Sequence, residues 1–566
     1  MPAGRLPNSA PGASIGASLG AWLRALPRPS RVALALTLVW AIEVFLVQEL
    51  TLVPGHRQSL ASAGVYRVVR MLFDLLVCGA LVCALPRGLL GLLFLLNPVF
   101  YVVVILYHDY YQQPLSVHAI LETSGEGVQV SGAVSGLIEA WHGLFIALLV
   151  VKLALLVRGG QRSAWSERKR PAGMIVAAYW LLVAIANPVL QPLSKIGTWE
   201  SVGGLGALYG YSLTWLAELA YLDVDGLRER ALKRGSEAMP AEVDRLLVEE
   251  ASFPVSERVV FLQVESLDLA VIDFRIDGRE VSPNLNRLWR QSLRYAVQAP
   301  KGTGSSDADF RALMGKPPSR DVPTYKIPGY PYEGSFVERL KGLGFEAWAL
   351  HGVTGEFFNR RPAYEKMPFD ALVFREELLA ERVSTTEAWA IDDGELLGTT
   401  ATRVAEAEGR VFALVITATS HIPFPLAPAQ RVFFPSDASP HYAYFDSIHY
   451  VDGVIGRFVE ELPRGTTVVI YGDHISKIKN PEVGYEQRLR DGEGCVPFLI
   501  LETGADISGL QRTGDDLALS CELTSLHAFR FVQGRVEAAF ADAPPAVARS
   551  VRGANDEVAL SAQREY

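Results

Sequence analysis

"RVVFLQVES" (residues 258–266) is a run rich in Val, Phe and Leu that closes on a carboxylate and a hydroxyl, Glu265 and Ser266. It reads as a buried strand. Runs of the same kind recur at "GFEAWALHG" (344–352), "RVFALVITATS" (410–420), "TTVVIYGDH" (466–474) and "VPFLIL" (496–501). Helical patterns stand between them, among them "SPNLNRLWRQSLRY" (282–295) and "FDSIHYVDGVIGRFVEEL" (445–462). In the first of these, Ser282-Pro283 predicts an N-cap followed by proline at the first helical position. Strands apolar on both faces, alternating with helices, predict an α/β domain with a mostly parallel central sheet over residues 257–540. Ligands of such sheets bind beyond the carboxyl ends of the strands.

The strand-end residues share a chemical type. Glu265 follows the first strand, and "KGTGSSDADF" (301–310) presents Ser305 beside Ser306 and Asp307. His351 follows "AWAL", His421 follows "VITATS", and Asp473 and His474 follow "VVIY". Hard oxygen ligands, imidazoles and a hydroxyl at separate strand ends can converge on one divalent cation. Taken singly, each has a plainer reading. Ser305 and Ser306 would simply cap a helix "DADFRALMG", Glu265 would cap a turn, Arg360 beside Arg361 would be a solvated pair, and Lys301 would be an exposed lysine.

Taken together and in order, "FLQVES", "SPNLNRL", "GSSDADF", "HGVTGEFFNR", "SHIPFP" and "YGDH" resemble the lipoteichoic acid synthase type of phosphoglycerol transferase, in the alkaline phosphatase and sulfatase-like superfamily. The resemblance covers about Arg258 to Val532. It implies that Ser305 stands in the place of the family's nucleophilic threonine. Glu265, Ser305, Asp473 and His474 would hold one metal ion, typically Mn2+, with Zn2+ and Mg2+ as alternatives. His351, Arg360 and His421 would grip the transferred phosphate and glycerol, and Phe358 would wall the pocket where the family often has tryptophan. Asp309 replaces a glutamate of the family motif, and the stretch after His474 is less family-like. The implied donor is phosphatidylglycerol in the bilayer. The implied acceptor is an envelope glycan or polymer, such as a teichoic acid chain or a periplasmic glucan.

The chemistry needs these residue types. A serine hydroxyl is a poor nucleophile until a cation or base withdraws its proton, and a divalent metal does so while polarising the phosphoryl oxygen. Arginine grips two phosphate oxygens at once. A helix start at "GTGSSD" offers N–H groups to the anion.

Upstream, the composition changes. Residues 31–194 carry five apolar stretches of bilayer-crossing length or nearly so: Val32–Leu52, Val65–Leu85, Leu89–Tyr107, Val134–Leu156 and Ala172–Leu190. Arg5, Arg24, Arg28 and Arg31 precede the first, and Arg158, Arg162, Arg168, Lys169 and Arg170 separate the fourth from the fifth. The loop from His108 to Gly136 has no Lys or Arg. Positive charge marks the cytoplasmic side, so the expected layout is a cytoplasmic N-terminus (1–30), five helices in the cell membrane, an amphipathic connector (195–256), an extracytoplasmic, periplasmic catalytic domain and a polar tail (541–566). Arg57, Arg67 and Arg70 run against this layout. Glu43, Asp74 and Lys152 lie in or near the spans, where the plain expectation is that they sit at interfaces or snorkel.

A net charge of −9 over 566 residues argues against nucleic acid as a partner. Four cysteines do not make a disulfide framework; Cys495 and Cys521 are read equally well as a pair or as two free thiols. Phosphoethanolamine transfer is the nearest competing activity. A sulfatase reaction is disfavoured because "SSDAD" lacks the Pro and Arg of the Cys/Ser-x-Pro-x-Arg signature, and a non-catalytic scaffold would be expected to show degenerate metal positions.

Overall fold

The computed structural model describes residues 28–52, 60–111, 114–123, 138–158, 165–190, 200–220, 224–236, 253–300, 304–319, 322–381, 390–422, 424, 426–435, 440–476, 485 and 494–541. The N-terminal arginines Arg5 and Arg24, Arg57, the 159–164 part of the fourth loop, most of the connector after Gly235, Lys301 and the tail after Ala541 lie outside them.

The chain forms two compact units. The first is helical and runs to Leu222. Its helices Arg28–Thr51, Leu60–Ala84, Arg87–Tyr111, Gly143–Arg158 and Trp165–Leu190 overlap the five apolar stretches, the fourth only from residue 143 onward, with residues 134–137 outside the described ones. Among the described residues, three of them are long and apolar enough to cross a membrane: Ser30–Thr51, Arg87–His108 and Ala140–Arg158. The Leu60–Ala84 helix is interrupted by Arg67, Arg70 and Asp74, and the Trp165–Leu190 helix opens on a charged turn that leaves Pro171–Ile185 as its apolar stretch. A further apolar helix, Glu200–Ala220, lies in this unit, in the part of the sequence expected to begin the connector.

Glu43, Asp74 and Lys152 do not snorkel. Glu43 and Lys152 form an ion pair in which both side chains are wholly buried, and Gln48 Nε2 donates to Asp74 Oδ1 at 3.0 Å. Burying either charge alone would be far more costly than burying the pair, which is why they occur on facing helices.

The second unit is built on a seven-stranded sheet. Its strands are β1 (Arg258–Val264), β4 (Leu293–Gln298), β5 (Glu346–His351), β6 (Ala371–Val373), β7 (Val411–Ile416), β8 (Thr467–Gly472) and β9 (Cys495–Glu502), while β2 (Arg275–Ile276) and β3 (Arg279–Glu280) form a separate ribbon. The order is β4-β9-β8-β1-β7-β5-β6. Strands β8, β1, β7, β5 and β6 pair in parallel. β9 is antiparallel to both β8 and β4, so β4 points the same way as the parallel set. Six of the seven strands therefore deliver their carboxyl ends to one edge. β7 and β8 are buried along their whole length, as runs apolar on both faces require.

Helix Pro283–Gln291 starts at the expected proline, but Ser282 does not cap it; its hydroxyl donates to the Val271 carbonyl at 2.8 Å. The cap comes from Asp452, whose carboxylate accepts from the Asn284 and Leu285 amides at 3.0 and 2.7 Å.

Cys495, at the start of β9, is disulfide-bonded to Cys521, 26 residues on. Gln298 at the end of β4 pairs with Cys495 in register and donates to the Cys521 carbonyl at 2.9 Å, so the bridge closes the base of the segment that leads to Ser305. A loop of this length gives a stabilisation of about 3.5 kcal/mol by the chain-entropy rule. Reduction, or Cys495→Ser, is expected to lower the thermal midpoint accordingly, read by scanning calorimetry with and without reductant; an unchanged midpoint would show that the bridge contributes nothing.

Candidate active site

The sheet edge brings the predicted strand-end residues together. Glu265 is the first residue beyond β1, Asp473 and His474 are the first two beyond β8, and Ser305 stands immediately before the helix Ser306–Met314. The Ser305 hydroxyl donates to Glu265 Oε2 at 3.0 Å and lies 3.2 Å from His474 Nε2. His474 Nε2 is in turn 3.4 Å from Glu265 Oε1 and 3.5 Å from Asp473 Oδ2. One ligand atom from each of Glu265, Asp473 and His474 falls within 4.8 Å of the others. Ser305 caps nothing: its backbone is already helical and its side chain makes no cap hydrogen bond.

Backbone contacts hold this arrangement. Gln263, buried within β1, reaches the Ser305 carbonyl with its amide at 3.2 Å, while Tyr471 donates to its Oε1 at 3.1 Å. Ser266 and His474 amides both donate to Asp473 Oδ1, at 2.8 and 2.7 Å. The loop after β7 clasps Glu265 from both sides, with Thr417 Oγ1 accepting from its amide at 3.0 Å and Ser420 donating to its carbonyl at 2.5 Å. Asp393 fixes that loop by accepting from the Ala418 and Thr419 amides at 2.8 and 2.9 Å.

Asp473 Oδ2 is buried and accepts no hydrogen bond. Burial, then the neighbouring Glu265 charge, pushes the Asp473 carboxyl well above its ordinary pKa. Burial acts in the same direction on Glu265, but His474, His421 and the hydrogen bonds from Ser266 and Asp473 outweigh it and hold that carboxyl low. Two carboxylates this close cannot both stay charged without a cation. An orphaned buried oxygen, two carboxylates, an imidazole and a hydroxyl form a donor set that fits a divalent ion.

The histidine tautomers follow from their partners. A carbonyl only accepts, so each Nδ1 facing one carries the proton. His474 Nδ1 donates to Ile475 O at 2.9 Å, His351 Nδ1 to Ile416 O at 2.9 Å and His421 Nδ1 to Ile422 O at 2.6 Å. With the proton on Nδ1, a neutral imidazole accepts or ligates through Nε2. Burial, then Arg360, pushes the His351 pKa down to about 3, so its ring is neutral.

Arg360 is also buried, and it is already paired. Its Nε and Nη2 each meet an Asp309 oxygen at 3.2 Å, Tyr364 donates to the same carboxylate, and its Nη1 lies 3.4 Å from His351 Nε2. Burial opposes its charge, but Asp309, with Tyr364, outweighs this and holds the guanidinium above its ordinary pKa. Asp309, noticed in the sequence only as a departure from a motif, therefore aims Arg360. A separation of 51 positions hides the pairing from any local pattern.

Phe358 stacks under the Arg360 guanidinium, 5.3 Å from ring centroid to Cζ, and itself holds a left-handed backbone at φ 56. Its ring also covers Gly304, whose φ is +125; a Cβ there would lie 2.5 Å from the ring. Only glycine meets both demands. Gly304→Ala is expected to displace the adjacent Ser305 and lower kcat by about a hundredfold, the cost of roughly 1 Å of misplacement. Steady-state kinetics at a verified metal content test this, and a kcat within threefold of the parent would show that the loop tolerates the change.

The Sulfatase family model matches residues 257–506. Lipoteichoic acid synthase 2 of Bacillus subtilis is 21% identical over 398 residues, which is 66% of this chain and 60% of that protein. The lipoteichoic acid synthase of Staphylococcus saprophyticus is 25% identical over 274 residues, covering 46% of this chain and 40% of its own. The chain thus spans less than two thirds of the length of these relatives. Among solved structures, the integral membrane lipooligosaccharide phosphoethanolamine transferase A of Neisseria meningitidis aligns with a TM-score of 0.53 and 14% identity, over 90% of this chain and 95% of that one, a likeness of fold. The match to the Sulfatase family model thus runs from the residue before β1 to the turn beyond β9, the stretch that carries Glu265, Ser305, Asp473 and His474.

Proposed function

We propose that the chain is a membrane-held phosphoglycerol transferase that works through a phospho-Ser305 intermediate. One observation carries the reading: the Ser305 hydroxyl sits 3.0 Å from Glu265 and 3.2 Å from His474, inside a carboxylate and imidazole cluster that also contains an unpartnered Asp473 oxygen. The five apolar stretches would anchor the domain in the cell membrane with the catalytic unit on the outer, periplasmic side. That placement fits a lipid donor and the Cys495–Cys521 bridge, since disulfides persist outside the cytoplasm.

Glu265, Ser305, Asp473 and His474 would hold the metal, Mn2+ in the first instance. When bound, the ion supplies charge that favours the ionised hydroxyl and polarises the phosphoryl oxygen. Ser305 Oγ attacks the phosphorus of phosphatidylglycerol, its proton passing to Glu265 Oε2, the atom to which it already donates. The bond from phosphorus to the diacylglycerol oxygen breaks. His421, whose Nδ1 is held by the Ile422 carbonyl, takes up a proton at Nε2 before this step, gives it to that oxygen and releases diacylglycerol. Arg360, aimed by Asp309, neutralises the non-bridging phosphate oxygens. The neutral His351 accepts a hydrogen bond from a glycerol hydroxyl through Nε2. In the second half, an acceptor hydroxyl of an envelope glycan or polymer attacks the phosphorus of phospho-Ser305, His421, now neutral, takes its proton, and the bond from phosphorus to Ser305 Oγ breaks as Glu265 returns the proton to that oxygen.

Phosphoethanolamine is the competing headgroup, consistent with the fold shared with the Neisseria protein. The test is reconstitution of the full chain in liposomes with headgroup-labelled phosphatidylglycerol or phosphatidylethanolamine, following diacylglycerol release and label on the protein. Label and release from phosphatidylglycerol alone are expected. Turnover of phosphatidylethanolamine alone would reassign the donor, and turnover of neither with Mn2+ or Zn2+ present would refute transferase activity.

A further inference from the structure

Asp268 lies three residues beyond Glu265, takes no part in the chemistry above, and is completely buried. Among the described residues it forms no ion pair. Its charge is met instead by hydrogen-bond donors from distant parts of the chain. Oδ1 accepts from the Ser476 amide at 2.5 Å, and Oδ2 accepts from the Ser476 hydroxyl and from Tyr485 OH, the latter at 2.6 Å. On the main chain of the same loop, the Asp268 amide reaches Tyr444 OH at 3.4 Å, and that hydroxyl donates to the Ser266 carbonyl at 2.9 Å. A buried carboxylate is costly unless its lone pairs are filled, and here Ser476 and Tyr485 fill them.

The placement gives this network a consequence beyond stability. Ser266 and Asp268 belong to the loop that carries Glu265. Ser476 belongs to the loop that carries Asp473 and His474. The two loops approach so closely that a Cβ on Gly472, the last residue of β8, would lie 2.5 Å from the Leu267 carbonyl oxygen. Ser266 N to Asp473 Oδ1 is one tie between them, and the Asp268 carboxylate is the other. Beyond the β1–β8 register, two ties thus hold the loop that carries Glu265 against the loop that carries Asp473 and His474.

We infer that Asp268 is a positioning residue for the divalent-metal site, locking the loops after β1 and β8 at ligand spacing. The inference rests on the metal-site reading above, and it makes metal affinity, more than turnover of the loaded enzyme, the property that Asp268 controls. Removing hydrogen-bond partners that orient metal ligands typically weakens binding by about 10- to 100-fold.

The test uses the purified full chain in detergent. Mn2+ and Zn2+ are titrated calorimetrically into the metal-free parent and into Asp268→Asn and Tyr485→Phe, alongside the thermal midpoint of each metal-free protein and kcat as a function of metal concentration. Asp268→Asn is expected to weaken Mn2+ binding by about 10- to 100-fold, with the half-saturating metal concentration raised in step and kcat at saturation within about threefold of the parent. Tyr485→Phe removes a single donor and should weaken binding several-fold, which keeps the inference testable if Asp268→Asn does not fold. Mn2+ affinity within twofold of the parent in the variant that folds, together with a lowered thermal midpoint, would show a purely structural role and overturn it. A parent that binds metal but does not transfer glycerophosphate would instead overturn the proposed function and leave this inference standing.

Discussion

With Ser305 replaced by alanine, release of diacylglycerol from phosphatidylglycerol is expected to fall by a factor on the order of 10^4 to 10^6, the range seen when a nucleophilic serine is removed. No label should accumulate on the protein. The size of the loss follows from what remains. Arg360 and His421 would still bind the phosphate, but no oxygen would stand in line to displace the leaving group. The same substitution should leave the fold intact, because Ser305 caps no helix and gives up one hydrogen bond, worth about 1 kcal/mol. Activity and thermal midpoint must therefore part company. Ser305→Thr restores the hydroxyl and is expected to recover most of the turnover. If Ser305→Ala retained more than a tenth of the parent rate, water or another side chain would be the nucleophile and the two-step scheme would fail.

This prediction was accessible from the sequence because apolar runs and their first polar residues are local signals. "VVFLQVE" and "VVIYGDH" each mark a strand and the carboxylate at its end, and the parallel sheet then brings Glu265 and Asp473 to one edge. What the pattern could not show is who faces whom across the fold. Arg360 reads as a phosphate grip or a solvated pair, yet it is held by Asp309 and stacked on Phe358. Asp452 caps a helix 168 residues away in place of Ser282. The Cys495–Cys521 pairing follows from the β4–β9 register, which composition does not encode. The span count was harder still. Arg67, Arg70 and Asp74 interrupt the second stretch and a charged first turn shortens the fifth helix's apolar part, whereas Glu43 and Lys152, on helices that remain long and apolar enough, face each other.

Removing the metal is expected to have an effect as large as removing the nucleophile. Exhaustive chelation should abolish turnover and Mn2+ should restore it, while Asp473→Asn should abolish turnover at any ordinary Mn2+ concentration, because an amide supplies neither the charge nor the second lone-pair oxygen that Oδ2 now offers. The linkage to pH gives this an independent reading. In the metal-free protein the Asp473 carboxyl is raised above its unfolded value by burial and by Glu265. A raised carboxylate contributes stability that is present below the unfolded pKa and is lost as pH rises through the folded pKa. The metal-free protein is thus expected to lose stability as pH increases, when a second negative charge is forced into the buried pair. A bound cation removes that penalty, so the rise in thermal midpoint caused by a fixed excess of Mn2+ should grow between pH 5 and pH 8. At one hundred times the dissociation constant, binding alone contributes about 2.7 kcal/mol. In Asp473→Asn the pair carries one charge fewer, and both the loss of metal-free stability and the growth of the Mn2+ effect with pH should flatten. Turnover that survives chelation, or a Mn2+ stabilisation in the parent that is the same at pH 5 and pH 8, would remove the cation from the site and with it the means by which Ser305 is made a nucleophile.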